Sequence, residues 1–145
     1  MYNILYIRII GGNTMANNRK KLGEAELEIM QVIWKSNCPI TSNQILCGLQ
    51  QYRSWQLSTL MTALSRMADK GFVHCDRSTG INLYTAIVLE DDYKVTESKN
   101  FLKKLYDNSI QNLVANLYSN KVLGDSDLRE LRSFLDALDE RKDGE

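Results

Sequence analysis

The sequence predicts a mainly α chain in two parts. A winged helix-turn-helix, three helices plus a β-hairpin wing, comes first, and a separate helical region follows. Three observations predict it. Apolar residues recur at helical spacing in three short segments between Glu24 and Asp69. The period then changes to that of strands, around a turn-forming Arg77-Ser78-Thr79-Gly80. Beyond Glu90-Asp91-Asp92, leucine-striped amphipathic segments take over.

The elements follow in order. Residues 1–14 do not resemble the rest: Ile4 to Ile10 is a short apolar run broken by Arg8 and closed by Gly11-Gly12, without the flanks of a signal peptide. Translation from Met15, with residues 1–14 as an upstream extension, is the expectation; a short strand or arm is the alternative. Residues 24–35 form the first helix, with Leu27, Met30, Ile33 and Trp34 on one face. Glu24, Glu26 and Glu28 lie near its start, where the helix dipole favours them. Asn37-Cys38-Pro39 ends it. Thr41-Ser42-Asn43-Gln44 has the pattern of a capping box, starting a second helix near Ser42 that runs to about Gln50 and turns Ile45, Leu46 and Leu49 inward. Ser58 is the expected cap of a third helix that runs to Asp69, buries Leu57, Leu60, Leu64 and Met67, and ends at Lys70-Gly71. Phe72, Val73 and Cys75, then Ile81, Leu83, Tyr84, Ala86 and Ile87, supply the two strands of the wing.

Residues 93–118 read as one helix with a stripe of Phe101, Leu102, Leu105, Ile110, Leu113, Val114 and Leu117. Gly124-Asp125-Ser126 breaks and recaps the chain. A last helix, about 126–141, carries Leu128, Leu131, Leu135 and Leu138. Such helices do not make a full core alone: they either fold back on the first domain or pair with another chain, and their separate, negative, leucine-striped character favours a partner chain. The domain boundaries expected are 1–19 for a leader and basic arm, 20–89 for the winged helix and 90–145 for the helical region.

Composition narrows the function. The chain has 145 residues, 43% hydrophobic and 25% charged, which is ordinary for a globular protein. No apolar run reaches the roughly 20 residues of a membrane span. Three cysteines (Cys38, Cys47, Cys75) make no CxxC pair, and His74 is the sole histidine, so neither a disulfide framework nor a zinc site is expected. No cofactor is expected either, and the default compartment is a reducing cytoplasm. Enzymatic motifs are missing: there is no Gly-rich phosphate loop, HExxH or GxSxG. The zero net charge hides an asymmetry. Residues 1–88 hold nine Lys/Arg and five Asp/Glu, a net +4, while residues 89–145 hold nine and thirteen, a net −4. The first half can therefore meet a polyanion while the second does something else.

The outer face of the third helix carries Ser58, Thr59, Thr62, Ser65, Arg66 and Asp69. Hydroxyls, methyls and an arginine on one exposed face suit a helix lying in a DNA major groove. Arg53 just before this helix, Lys70 at its end and Arg77 at the hairpin tip extend the candidate surface toward phosphates or the minor groove. Trp55 reads equally well as core packing.

These motifs, in this order, resemble the BlaI/MecI penicillinase-repressor family, which also includes the CopY-type copper repressors. The resemblance spans residues 20–141. It rests on Glu24-Ala25-Glu26-Leu27-Glu28-Ile29-Met30 with Trp34, on Ile40-Thr41-Ser42 with Ile45 and Leu49, and on the Ser58–Met67 helix with Lys70-Gly71. Phe101-Leu102-Lys103-Lys104-Leu105-Tyr106, Leu113-Val114 and Glu130-Leu131-Arg132 extend it, and bring the chain closer to the β-lactam-responsive members. The resemblance implies a homodimeric repressor on an inverted-repeat operator, typically built on TACA/TGTA, with the C-terminal stripe as the dimerisation region. It also implies a sensor-protease that cuts between Asn and Phe, and Ser98-Lys99-Asn100-Phe101 matches that site, which places the cut at Asn100-Phe101. Copper-type members end in a cysteine-rich tail, whereas this chain has no cysteine after Cys75. Two alternatives stay open: a regulator of the same architecture that answers another ligand or stress without cleavage, and a winged helix used for protein docking.

Overall fold

The structure, a computed structural model, describes residues 21–144; the leader and basic arm lie outside them. The chain divides after Glu97 into two compact units.

In the first unit the order is α1 (Glu24–Ser36), β1 (Ile40–Thr41), α2 (Ser42–Leu49), α3 (Leu57–Asp69), β2 (Val73–Asp76) and β3 (Leu83–Ala86). The strands form an antiparallel sheet of order β1-β3-β2, with Ile40 opposite Tyr84 and Val73 opposite Ala86. Three helices closed by a small sheet and a hairpin make this a winged helix. β1 is an addition to the sequence reading. Two residues between Pro39 and the next helix are too few to show any period.

Local chemistry sets the boundaries. Asn37 ends α1 in a left-handed conformation (φ 54°), which asparagine tolerates. At the start of α2 the Gln44 amide donates to Thr41 Oγ1 (3.2 Å) and the Thr41 amide donates to Gln44 Oε1 (2.9 Å), the capping box foreseen. The start of α3 differs from expectation. Gln56 is extended (φ −87°, ψ 140°) and its carbonyl accepts the first helical bond from Leu60 N–H, so Ser58 lies inside the helix and is not its cap. Leu57, expected in the core, is 44% exposed. Gly71 (φ 82°) turns the chain out of α3, so that Phe72 N–H closes on the Met67 carbonyl at 3.0 Å.

The core is formed by Ile29, Met30, Val32 and Ile33 of α1, Ile45 and Leu49 of α2, Leu60, Leu64 and Met67 of α3, and Ile40, Phe72, Val73, Tyr84 and Val88 of the sheet and its flanks. Burying each large side chain contributes roughly 1.5–3 kcal/mol. Trp34 packs beside this cluster and its indole N–H donates to the Val88 carbonyl at 2.8 Å. α1 and α2 approach closely at Gly48. A Cβ there would lie 2.7 Å from Val32 Cγ1. Valine is stiff at χ1 and has little room to retreat. Gly48→Ala is therefore expected to lower stability by about 1–3 kcal/mol despite alanine's better helix propensity. A urea midpoint that rises in this variant would contradict the steric argument.

The next helix, α4 (Glu90–Tyr106), begins in the first unit. Tyr93 lies tilted against Trp34 (5.8 Å between ring centroids) and edge-on to Phe72 (6.5 Å), and Glu97 pairs with Lys21 at 3.6 Å. These contacts explain why the compact unit extends to Glu97, beyond the junction at 89/90 read from the sequence.

The second unit holds the rest of α4, then α5 (Ile110–Ser119) and α6 (Asp125–Asp143). The single helix expected over 93–118 is in fact two. Asp107 and Asn108 are both left-handed (φ 49° and 65°), and Ser109 caps α5 by accepting from the Asn112 amide at 3.1 Å. No proline or glycine announces this break. Gly124 precedes α6 as foreseen, its amide donating to Asp127 Oδ2 at 2.7 Å. No side chain of this unit is buried among the described residues. None of the described helices is long and apolar enough to cross a membrane.

Candidate nucleic-acid interface

α3 is two-faced. Leu60, Leu64 and Met67 are completely buried, at i, i+4 and i+7. The other side presents Ser58, Thr59, Thr62, Ser65 and Arg66, all exposed. Thr62 Oγ1 donates to the Ser58 carbonyl (3.0 Å), so this hydroxyl offers a partner its lone pairs and methyl and not its proton. Arg66 makes no ion pair among the described residues. The helix thus holds a shallow polar surface with one free fork, on a base that cannot shift without opening the core.

Arg77 stands at the start of the hairpin loop and is exposed. The loop is braced by its own polar groups: the Ser78 amide donates to Asp76 Oδ1 (2.9 Å), and the Gly80 amide reaches the Arg77 carbonyl (3.4 Å). That first hydrogen bond holds the Asp76 carboxyl below its ordinary range. Ile81, beside the tip, is 61% exposed.

Arg53 and Lys70 have partners the sequence reading did not foresee. Arg53 forks onto Glu28, with Nη2 to Oε1 at 2.7 Å and Nε to Oε2 at 3.0 Å, and lies over the Trp55 ring at 5.6 Å. Lys70 Nζ reaches both oxygens of Glu26, at 3.0 and 2.9 Å. Both carboxyls are held below their ordinary range. For Glu28 the hydrogen bond from Arg53 dominates. For Glu26 burial pushes upward, but the Gly23 amide and Lys70, with Arg66 nearby, outweigh it. Trp55 is half-buried, and its indole N–H has no hydrogen-bond partner among the described residues. The pairs join residues 25 and 44 positions apart, and no local spacing reveals such contacts. The first-turn position of Glu26 signalled only a favourable dipole.

His74 is exposed on β2, and Cys38 and Cys47 are exposed free thiols. Among the described residues no group of His, Cys, Asp and Glu is placed to hold a metal.

In the second unit the expected stripe is unevenly covered. Leu102, Leu113, Leu117 and Leu128 are half-buried, while Leu105, Ile110, Leu131, Leu135 and Leu138 are exposed. Phe134, absent from the stripe read in the sequence, is 58% exposed. It follows Leu131 at i+3 and precedes Leu138 at i+4, and that spacing was there to be seen. Asn100 and Phe101 both lie exposed within α4.

Residues 22–137 match the protein family described as penicillinase repressor. A penicillinase repressor of Staphylococcus aureus is 30% identical over 127 residues, covering 88% of this chain and 100% of that protein. The methicillin resistance regulatory protein MecI of Mammaliicoccus sciuri is 32% identical over 121 residues, covering 83% of this chain and 98% of its own. Among solved structures, monomeric BlaI of Bacillus licheniformis in complex with the blaP half-operator is 32% identical, with a TM-score of 0.45, covering 52% of this chain and 92% of that one.

Proposed function

Because this chain belongs to the penicillinase-repressor family, we propose that it is a DNA-binding transcriptional repressor that works as a homodimer on an inverted-repeat operator. The observation that carries the reading is the outer face of α3, where exposed hydroxyls and Arg66, which makes no ion pair among the described residues, lie opposite a fully buried leucine-methionine row. Ser58, Thr59, Thr62, Ser65 and Arg66 meet the major groove, and Arg77 meets a phosphate or the minor groove from the wing. Leu105, Ile110, Leu131, Phe134, Leu135 and Leu138 form the apolar surface that a second copy covers, because an exposed patch of this kind marks an interaction site. The protein is a binding protein of the cytoplasm and not an enzyme. A sensor-protease responding to a β-lactam or cell-wall signal cuts it at Asn100-Phe101, separating the DNA-binding unit from the dimer.

The deciding experiment is binding of the purified chain to a duplex with a TACA/TGTA inverted repeat, against a scrambled duplex, at two salt concentrations. Selective binding that weakens steeply with salt is expected. Equal weak binding to both duplexes overturns the operator assignment. Arg66→Ala is expected to weaken operator binding by about 1–3 kcal/mol, the range of one bidentate base contact. A mobility-shift titration measures this, and an unchanged affinity removes Arg66 from the interface.

A further inference from the structure

We infer that Glu26 and Glu28 of α1 are positioning residues for sequence reading: they fasten α3 at its two ends and fix the attitude of its exposed face. This rests on the repressor reading above. Lys70 is the C-cap of α3, and its ammonium is held by both Glu26 oxygens. Arg53 lies in the segment that leads into α3, and its guanidinium is held by both Glu28 oxygens. Positions two apart on a helix point about 200° apart. One turn of α1 therefore reaches both ends of the reading helix in opposite directions.

The arrangement runs against simple electrostatics. Two carboxylates beside a polyanion-binding face weaken binding at long range, and each neutralises a cation that would otherwise meet a phosphate. Geometry gives them a different use. The fork of Arg53 on Glu28 fixes direction as well as distance, which a lysine or a neutral side chain does not do. The Arg53 guanidinium also covers the Trp55 ring, tying the approach to α3 onto the same anchor. Both glutamate side chains are only 16% exposed, against 48% for Arg53 and 31% for Lys70, so the anchors are sheltered and the cations reach in to them. Each pair keeps its cation partly in water, at 48% and 31% side-chain exposure, so its contribution to folding stability is small. The effect therefore falls on the presentation of α3 and not on whether it folds.

The test uses the full chain with three changes: Glu28→Gln, Arg53→Lys, and the exchange Glu28→Arg with Arg53→Glu. Affinities for the TACA/TGTA inverted-repeat duplex and for the scrambled duplex are measured side by side. Glu28→Gln is expected to lower the ratio of specific to non-specific affinity on the order of tenfold, the size of one lost base contact. Its binding to the scrambled duplex holds or rises, and the salt dependence steepens by about one unit as the released Arg53 finds a phosphate. Arg53→Lys keeps the charge, loses the fork and lowers the ratio too; it carries the test if Glu28→Gln fails to fold. The exchange restores the ratio. An unchanged ratio, an equal shift on both duplexes, or an exchange that fails to restore selectivity overturns the inference. Absence of selectivity in the unaltered chain, read in the same titration, overturns the repressor reading instead.

Discussion

A fragment of this chain ending at Asn100 is expected to be a folded monomer that binds the operator duplex about 10²–10⁴-fold more weakly than the intact chain. The core residues all fall between Leu22 and Val88, so the fragment keeps every one of them. It also keeps Tyr93, which packs on Trp34 and Phe72, and Glu97, which pairs with Lys21. What it loses is α5, α6 and most of the exposed apolar surface, including Ile110, Leu131, Phe134, Leu135 and Leu138. A winged helix alone binds one half-site through a handful of contacts. Joining two makes the second contact intramolecular, and the gain comes from effective concentration without any new chemistry. On the proposed dimer reading, cutting the tether is expected to end repression while leaving the reading surface intact. Gel filtration and operator titration of the fragment test this together. A dimeric fragment, or one that binds as tightly as the whole chain, contradicts the account.

Phe72→Ala is expected to cost about 3–5 kcal/mol of stability, the range for removing a buried aromatic side chain. Phe72 is 1% exposed and lies between α3 and β2. Its amide closes the end of α3, and its carbonyl accepts from Ile87 N–H at 2.8 Å. The ring also supports Tyr93 at the start of α4. A domain of this size is stable by some 5–15 kcal/mol, so the loss is a large share of the whole. Urea unfolding with an unchanged slope and a lower midpoint is the expected record. A loss under about 1 kcal/mol would mean that the neighbours collapse into the space with little penalty.

The first unit was legible because its signals are local. The stripes in α1, α2 and α3, the Thr41–Gln44 box and the hairpin tip each lie within a few residues, and each names its element. The misplacements have physical reasons. Leu57 fits the apolar period of α3 but falls at the helix start, beyond the reach of the core. Asp107 and Asn108 interrupt a pattern that reads as continuous, because the apolar stripe resumes at Ile110 and outweighs the turn-forming Asp-Asn-Ser before it. The outer face of α3 was readable residue by residue, since exposure follows from the buried row opposite. The partners of Arg53 and Lys70 were not, because those contacts are made by the tertiary fold across residues distant in the chain. The sequence presents the basic residues near α3 as one surface; in the fold Arg53 and Lys70 are paired with Glu28 and Glu26, while Arg66 and Arg77 make no ion pair among the described residues.

Both tryptophans of the chain, Trp34 and Trp55, lie in the first unit, and the second unit contains tyrosine and phenylalanine only. Indole emission is therefore a built-in optical label for the DNA-reading half. The two indoles occupy different surroundings: Trp34 donates to a carbonyl beside the core, while Trp55 lies under a guanidinium at the approach to the reading helix. Trp34→Phe leaves an emitter that follows the Arg53 anchor, and Trp55→Phe leaves one that follows the core. Ellipticity in the far ultraviolet is weighted by every helix, including α5 and α6. Followed side by side during denaturation, the two signals separate the melting of one half from the other without any added dye.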